Sequence, residues 1–235
     1  MTHTPKILMI ATSAATMAPS DEPTGVWLEE LTTPYYAFVD AGADVTLASI
    51  AGGAIPIDAR SLKPKGENDA SVERYYDDAA LKEAVDNTPR FETLDVSSYD
   101  AVFLPGGHGT MFDYPESEAL ARLVETTLDA GKVMAAVCHG PAGLVKAKRK
   151  DGSPIVAGRK VAGFTDSEEH AVGLENAVPF LLETRLRELG ANYVSGPDFE
   201  PFAVRDGDLV TGQNPASAGK TADLVLEAVR ARKAA

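Results

Sequence analysis

The sequence of 235 residues contains a single cysteine, Cys138, and this scarcity excludes several kinds of site. One thiol cannot close an intramolecular disulfide, and it cannot supply a multi-thiolate metal site. It is either a small buried hydrophobic residue or a reactive nucleophile. Aromatic residues are few, at 7%, whereas hydrophobic residues as a whole reach 44%, which is typical of a globular chain with a substantial core.

Basic residues are also in deficit, since 22 Lys and Arg face 35 Asp and Glu and leave a formal net charge of -13. This balance disfavours a nucleic-acid partner, whose phosphates would require a basic face. No apolar run approaches the roughly 18 residues that a membrane span needs. The apolar run at residues 7–12 lacks the basic flank of a signal peptide. We therefore expect a cytoplasmic protein with no nucleic-acid or membrane partner.

Short apolar runs rich in β-forming residues alternate with segments of helical periodicity. Buried strands are predicted at 6–12, 44–50, within 99–110 and at the start of 132–148. Helices are predicted at 26–43, 80–88, 117–131 and 214–233. This alternation predicts an α/β fold with a mostly parallel central sheet and helices on both faces, in a single domain spanning 1–235.

Four segments add detail to this scheme. Residues 51–78, rich in glycine, proline and charge, predict a surface excursion with a short strand. Residues 153–165 predict a hairpin, and 167–191 a helical segment that Pro179 interrupts. The sequence 202–212 predicts a second hairpin with an Asp-Gly pair at its tip.

Cys138 follows the strand within 132–148, and a helix is predicted directly after it. This arrangement resembles the sharp strand-to-helix turn that presents a nucleophile at the carboxyl edge of a sheet. A helix N-terminus lowers the pKa of a thiol there, and the thiolate is the reactive form. Together with its neighbour His139, this setting favours a reactive thiol over an inert buried one.

Two further groups could act on the same substrate. His139 is a candidate acid/base partner, since His3 lies near the terminus and leaves few other histidines. The glycine-rich turn after the strand in 99–110 is a candidate oxyanion site, because Gly107 N–H and His139 N–H could converge on one oxygen. No group of histidine, cysteine and acidic residues has the spacing of a metal site.

Two pairs of adjacent glutamates have both a surface and a functional interpretation. One of Glu29 and Glu30 should face inward, and a carboxyl kept neutral by burial could donate a hydrogen bond to the thiolate. Glu168 and Glu169 follow the possible cap Ser167 in the first turn of a helix, where acidic side chains commonly stay solvated.

Several blocks of the sequence resemble those of a known family. The blocks that carry the resemblance are AVCHGPAGL, LPGGHGTMFDYP, TGVWLEELTTPYYAF, GRKVAGFTDSEEHAV and LVTGQNPASA. They look like the ThiJ/PfpI superfamily, and most of all its branch of heat-shock chaperone-like, glutathione-independent glyoxalases (glyoxalase III). The resemblance runs from the first strand to the last helix. It implies a flavodoxin-like three-layer sandwich with a Cys-His-acid triad.

The resemblance also implies roles for individual residues. Cys138 matches the family's nucleophile, and His139 matches the histidine next to it. Glu169 matches the acid that orients this histidine, with Glu168 as the alternative. Glu30 matches the glutamate that contacts the sulfur. Gly107 matches a residue whose backbone N–H binds the oxyanion. His108, Trp27 and Phe164 match residues that line the substrate pocket.

The implied activity is the conversion of methylglyoxal to lactate through a thiohemiacetal on Cys138, without cofactor or metal. His139 or Glu30 would move the substrate proton. A homodimer is expected from the resemblance. The alternatives are a cysteine hydrolase (a protein or nucleotide deglycase, or a peptidase/amidase) and a holding chaperone or redox stress protein.

Overall fold

A six-stranded sheet forms the centre of the computed structural model, which describes residues 4–233. Its strands run in the order β2-β1-β3-β4-β8-β7, and only the last neighbouring pair is antiparallel. A separate parallel pair joins β5 to β6. The strands are β1 (Lys6–Ala11), β2 (Asp44–Ser49), β3 (Ala101–Leu104), β4 (Val133–Val137), β5 (Lys160–Val161), β6 (Asn192–Tyr193), β7 (Ala203–Asp206) and β8 (Leu209–Gly212).

Helices cover both faces of the sheet, which confirms the predicted fold class. Along β1, Ile7 and Met9 enter one apolar cluster, and Leu8 and Ile10 enter the other, because successive strand side chains point to opposite faces. The helices are α1 (Leu28–Asp40), α2 (Ala70–Asp77), α3 (Ala79–Asp86), α4 (Thr110–Asp113), α5 (Glu118–Asp129), α6 (Asp166–Val172), α7 (Leu182–Glu188) and α8 (Ala218–Lys233). No helix within residues 4–233 is long and apolar enough to cross a bilayer.

Several local predictions were wrong. The chain after β4 forms a 3-10 helix (Gly140–Leu144), not an α-helix. Its tight path needs glycine, since a Cβ on Gly140 would lie 2.3 Å from Leu104 O. The predicted strand in 51–78 is absent, and the segment instead holds α2 and a 3-10 turn (Ala59–Ser61). Of the candidate histidines, His3 lies outside the described residues.

The segment 153–165 does not form the predicted hairpin. Lys160 N donates to Asp206 Oδ2 at 2.7 Å, and Ala162 N donates to Thr211 Oγ1 at 2.8 Å. These side chains draw β5 alongside the β7–β8 hairpin, and its strand partner is β6. The hairpin at 202–212 is confirmed, with Asp206 opposite Leu209. The helical segment at 167–191 is two helices, because Gly173 ends α6 in a left-handed conformation.

Candidate active site

Cys138 lies directly after β4, at the carboxyl edge of the sheet, in a strained backbone conformation. Its φ is +60°, in the left-handed region that a residue with a side chain rarely adopts. Hydrogen bonds on both sides fix it: Cys138 N donates to Gly212 O at 3.0 Å, and Phe164 N donates to Cys138 O at 2.8 Å. The sharp turn predicted from the sequence is therefore present, and it holds the thiol at the end of the central strand.

The glycine-rich turn after β3 packs against this thiol at a distance that allows no side chain. A Cβ on Gly106 would lie 2.6 Å from Glu30 Oε2 and 2.8 Å from His139 N. Gly107 has a φ of +101°, and its backbone N–H donates a hydrogen bond to the Cys138 sulfur. The two glycines thus bring backbone donors into contact with the reacting group.

The thiol, one imidazole and one carboxylate form a chain of contacts. Cys138 Sγ lies 3.3 Å from His139 Nδ1, and His139 Nε2 lies 2.7 Å from Glu169 Oε2. All three side chains are buried. Burial opposes ionisation of Glu169, but the interaction with His139 and the hydrogen bonds from two imidazoles outweigh it and hold the pKa of Glu169 well below its usual range. In a neutral imidazole, a hydrogen bond from Nε2–H to the ionised Glu169 leaves the lone pair on Nδ1, which is the nitrogen that faces the thiol.

His108 is the second imidazole on the same carboxylate. Its Nε2 lies 2.7 Å from Glu169 Oε1, and its ring centroid lies 4.1 Å from that of His139. Burial, followed by the neighbouring His139, lowers the pKa of His108 to about 4. His108 is therefore neutral at pH 7. Phe164 also packs against His139, with ring centroids 4.4 Å apart.

Glu30 enters from the first turn of α1 and is fully buried. Gly106 N donates to its Oε2 at 2.9 Å, whereas its Oε1 is buried and has no hydrogen-bond partner among the described residues. Burial is the main cause that raises the pKa of Glu30 well above its usual range, while the nearby Cys138 thiol lowers it, so the site as a whole favours the neutral carboxyl. Its neighbour Glu29 faces a polar cleft instead.

The expected lowering of the thiol pKa is wrong. Burial raises the pKa of Cys138 well above its usual range, and negative charge on Glu30 would raise it further. The sequence argument relied on an α-helix after the cysteine, and the short 3-10 helix found there supplies no comparable dipole. The thiol is therefore protonated at rest, and its activation requires a base, which His139 Nδ1 is placed to provide.

Glu168 and Glu169 are both buried, which the surface interpretation did not anticipate. Glu168 points away from the imidazoles. Its Oε1 accepts hydrogen bonds from Phe199 N at 2.7 Å and Asn214 Nδ2 at 2.8 Å, and its Oε2 accepts from Thr165 N at 3.0 Å. Of the two candidates for the triad acid, the structure places only Glu169 against His139.

A cavity of about 180 Å³ opens over Cys138 and is lined almost entirely by apolar surface. Val172 and Phe199 stand at its rim, 44% and 46% exposed. The sequence analysis assigned neither these two nor Pro215 to the pocket, because they reach the cavity from the end of α6, from a loop and from the start of a 3-10 helix that are distant in the chain. The lining residues are Trp27, Gly107, His108, Cys138, His139, Phe164, Val172, Phe199 and Pro215.

His108, His139 and Glu169 are the one group within residues 4–233 whose donor atoms lie close enough together to hold a metal ion, within 4.8 Å. Both imidazoles, however, sit 2.7 Å from the carboxylate oxygens. Tetrahedral zinc ligands stand roughly 3.3 Å apart at metal–ligand distances of about 2.0 Å. The observed separations are those of hydrogen bonds, so the cluster is arranged to hold protons.

A family model and several named proteins match this chain over most of its length. The family model described as DJ-1/PfpI family matches residues 24–228. "Glyoxalase 3" of Candida albicans is 35% identical over 95% of this chain and 98% of its own length, and "Glutathione-independent glyoxalase HSP31" of Saccharomyces cerevisiae is 32% identical over 96% and 98%. The crystal structure of glyoxalase III from Candida albicans superposes with a TM-score of 0.86 at 33% identity, covering 95% of this chain and 97% of that one.

Proposed function

The chain belongs to the DJ-1/PfpI family, and from this membership and the geometry around Cys138 we propose that it is a glutathione-independent glyoxalase converting methylglyoxal to lactate. The observation that carries the proposal is the chain of contacts from the Cys138 thiol through His139 to Glu169 beneath a small apolar cavity. The relatives named glyoxalases extend over nearly the whole chain, which supports the same activity. The reaction class is that of a hydro-lyase.

The first step is addition of sulfur to the aldehyde carbon. His139 Nδ1 removes the thiol proton as the S–C bond forms, and the ionised Glu169 stabilises the imidazolium. The backbone N–H groups of Gly107 and His139 are assigned to the developing oxyanion. Return of the proton from His139 to that oxygen gives a neutral hemithioacetal.

The second step moves hydrogen between the two substrate carbons. Neutral His139 removes the proton from the sulfur-bearing carbon, giving an enediolate, and returns it to the neighbouring carbon, while the hydroxyl proton moves from the first substrate oxygen to the second. The product is a thioester of Cys138 with a hydroxyl on the adjacent carbon. Water then cleaves the thioester and releases lactate, while the hydrogen bond from neutral Glu30 stabilises the departing sulfur. One water is consumed, and no electrons enter or leave.

The test is incubation of the purified protein with methylglyoxal in the absence of glutathione, followed by a lactate assay. We expect lactate from the wild type and a loss of about 10³-fold or more in Cys138→Ala, since no other nucleophilic sulfur exists in the chain. Absence of lactate from the wild type would contradict the proposal. Suppression of aggregation that persists in Cys138→Ala would instead support a chaperone role independent of the thiol.

The homodimer is proposed from the family resemblance and the cytoplasmic location from the sequence pattern, and no contact in the structure carries either. We propose a cytoplasmic homodimer. Light scattering of the purified protein tests the first part, because a solution mass near the 24.8 kDa of one chain would contradict it. Fractionation of the source cell tests the cytoplasmic location.

A further inference from the structure

His108 has one ring nitrogen that the triad does not explain. Its Nε2 is bound to Glu169, but its Nδ1 is buried and meets no hydrogen-bond partner among the described residues. Buried polar atoms in folded proteins are almost always paired, so an unpaired one calls for a ligand or a function. The ring itself forms part of the wall of the catalytic cavity.

The two imidazoles are attached to Glu169 in the same way but differ at their other nitrogen. Each donates Nε2–H to one carboxylate oxygen at 2.7 Å. His139 Nδ1 then reaches the Cys138 sulfur, whereas His108 Nδ1 is left free. Both imidazoles donate a hydrogen bond from Nε2–H to Glu169. Nδ1 of the neutral His108 therefore carries a lone pair and can only accept a hydrogen bond.

A substrate bound to Cys138 supplies the missing donor. The hemithioacetal carries a hydroxyl on the carbon bonded to sulfur, and the enediol carries a hydroxyl or oxyanion on each of two adjacent carbons. For the thioester to form, the proton on the first oxygen must leave, and the second oxygen must gain one. His139 is occupied at that stage with the carbon-bound proton.

We propose that His108 is a further catalytic residue, whose Nδ1 accepts the proton from the first substrate oxygen and returns it to the second. This inference rests on the proposed glyoxalase function. In the balanced step, His108 Nδ1 takes the O1 proton and delivers it to O2, and His139 returns the carbon proton to C2. The C1=O bond of the thioester forms, and both imidazoles end neutral.

The electrostatics of the cluster fit a relay that releases its proton. The rings of His108 and His139 are in contact, with centroids 4.1 Å apart, so two positive charges there would repel each other, and one carboxylate balances only one of them. The depressed pKa of His108, about 4, follows from its burial and from His139. Protonated His108 is therefore short-lived and passes its proton on to the substrate oxygen.

Two substitutions separate this role from simple support of Glu169. In His108→Gln the amide nitrogen can replace Nε2 and still donate to Glu169, but no acceptor remains at the Nδ1 position. In His108→Asn the amide oxygen replaces Nδ1 and the contact to Glu169 is lost. The Asn amide oxygen is too weak a base to take up a proton, so proton relay predicts that both variants lower kcat for lactate formation by 10–100-fold, whereas simple support of Glu169 predicts that Gln keeps nearly full activity.

The second readout is the covalent adduct. Addition of sulfur does not use His108 Nδ1, so iodoacetamide should alkylate Cys138 in His108→Gln at the wild-type rate across pH. The methylglyoxal adduct on Cys138 should accumulate in this variant, as measured by mass spectrometry after rapid quenching. Wild-type kcat in His108→Gln would overturn the proposal. Circular dichroism and thermal unfolding verify that both variants fold.

The experiments distinguish a failure of the His108 role from a failure of the proposed glyoxalase function. If the wild type forms no lactate, the glyoxalase function fails. If the wild type forms lactate and His108→Gln does so equally well, the glyoxalase function stands and only the role of His108 falls.

Discussion

At the scale of single residues, the two groups nearest the chemistry are buried side by side in their neutral forms. Burial raises the pKa of the Glu30 carboxyl and of the Cys138 thiol, and each group also affects the pKa of the other. A carboxylic acid kept neutral can donate to a sulfur that becomes negative, whereas a carboxylate would repel it. The neutrality of Glu30 is thus a condition for generating the thiolate.

Replacement of Glu30 by glutamine tests this condition. The amide keeps an oxygen for Gly106 N–H and a nitrogen donor for sulfur, so we expect a folded protein. The amide is a much weaker acid and cannot pass a proton, so kcat should fall by roughly 10²-fold if Glu30 also transfers one. Unchanged kcat and KM in Glu30→Gln would remove Glu30 from proton transfer.

The same variant has a defined effect on stability. A pKa raised by folding means that the contribution of Glu30 is complete below its ordinary value of 4.5 and is lost as the pH rises toward the folded value. Glutamine does not titrate. The Tm of Glu30→Gln relative to the wild type should therefore increase as the pH rises from 4 to 8, measured by calorimetry. A constant difference in Tm would show that burial does not perturb Glu30.

At the scale of elements, the first turn of α6 sends two adjacent glutamates in different directions. Consecutive helical residues are separated by roughly 100° around the axis. Glu169 therefore meets the imidazoles, and Glu168 meets the loop that carries Phe199 and the segment that carries Asn214. The Thr165 side chain caps this turn by accepting from Glu168 N at 3.0 Å, which fixes both directions at once.

The two glutamates should therefore fail differently when changed to glutamine. In Glu169→Gln the carboxylate that balances the His139 imidazolium is lost, so we expect kcat to fall by about 10²-fold or more. In Glu168→Gln, one acceptor oxygen among buried donors is replaced by an NH₂, so we expect a loss of about 1–3 kcal/mol in unfolding free energy. Kinetics and urea unfolding of both variants provide the comparison. A reversed pattern would assign the triad acid to Glu168.

At the scale of the whole molecule, Asp113 ties α4 to the loop after β1. Its Oδ2 accepts hydrogen bonds from Thr12 Oγ1 at 2.8 Å, Ser13 N at 2.7 Å and Ala14 N at 3.1 Å. Burial raises the pKa of Asp113 to about 6, against an ordinary value of 3.8. This contact joins parts of the chain about 100 residues apart, so it affects global unfolding.

Asp113→Ala should lower the unfolding free energy by about 2–3 kcal/mol, because three donors lose their acceptor. Asp113→Asn is the matched control, since its amide oxygen can accept the same bonds. The part of the stability that comes from the shifted pKa of Asp113 is complete below pH 3.8 and is lost as the pH rises through 6. Wild type should therefore lose stability relative to Asp113→Asn between pH 4 and 7 in thermal unfolding. A pH-independent difference would contradict the shifted pKa.

The element order followed from local signals, and those signals failed where long-range contacts decided the outcome. Apolar runs predicted β1 to β4, and helical periodicity predicted α1, α5 and α8 to within a few residues. The segment 153–165 has no strong turn of its own, and contacts with Asp206 and Thr211 outweighed its local tendency to form a hairpin.

The amino-acid sequence by itself determined the alternation of strands and helices, the single thiol Cys138 and its neighbour His139, because periodicity and adjacency are properties of the chain. Only the tertiary structure decided that Glu169 and not Glu168 meets His139, that a second imidazole from His108 shares that carboxylate, and that burial protonates the thiol. The physical reason is that hydrogen-bond direction and desolvation depend on which distant segments close over a group.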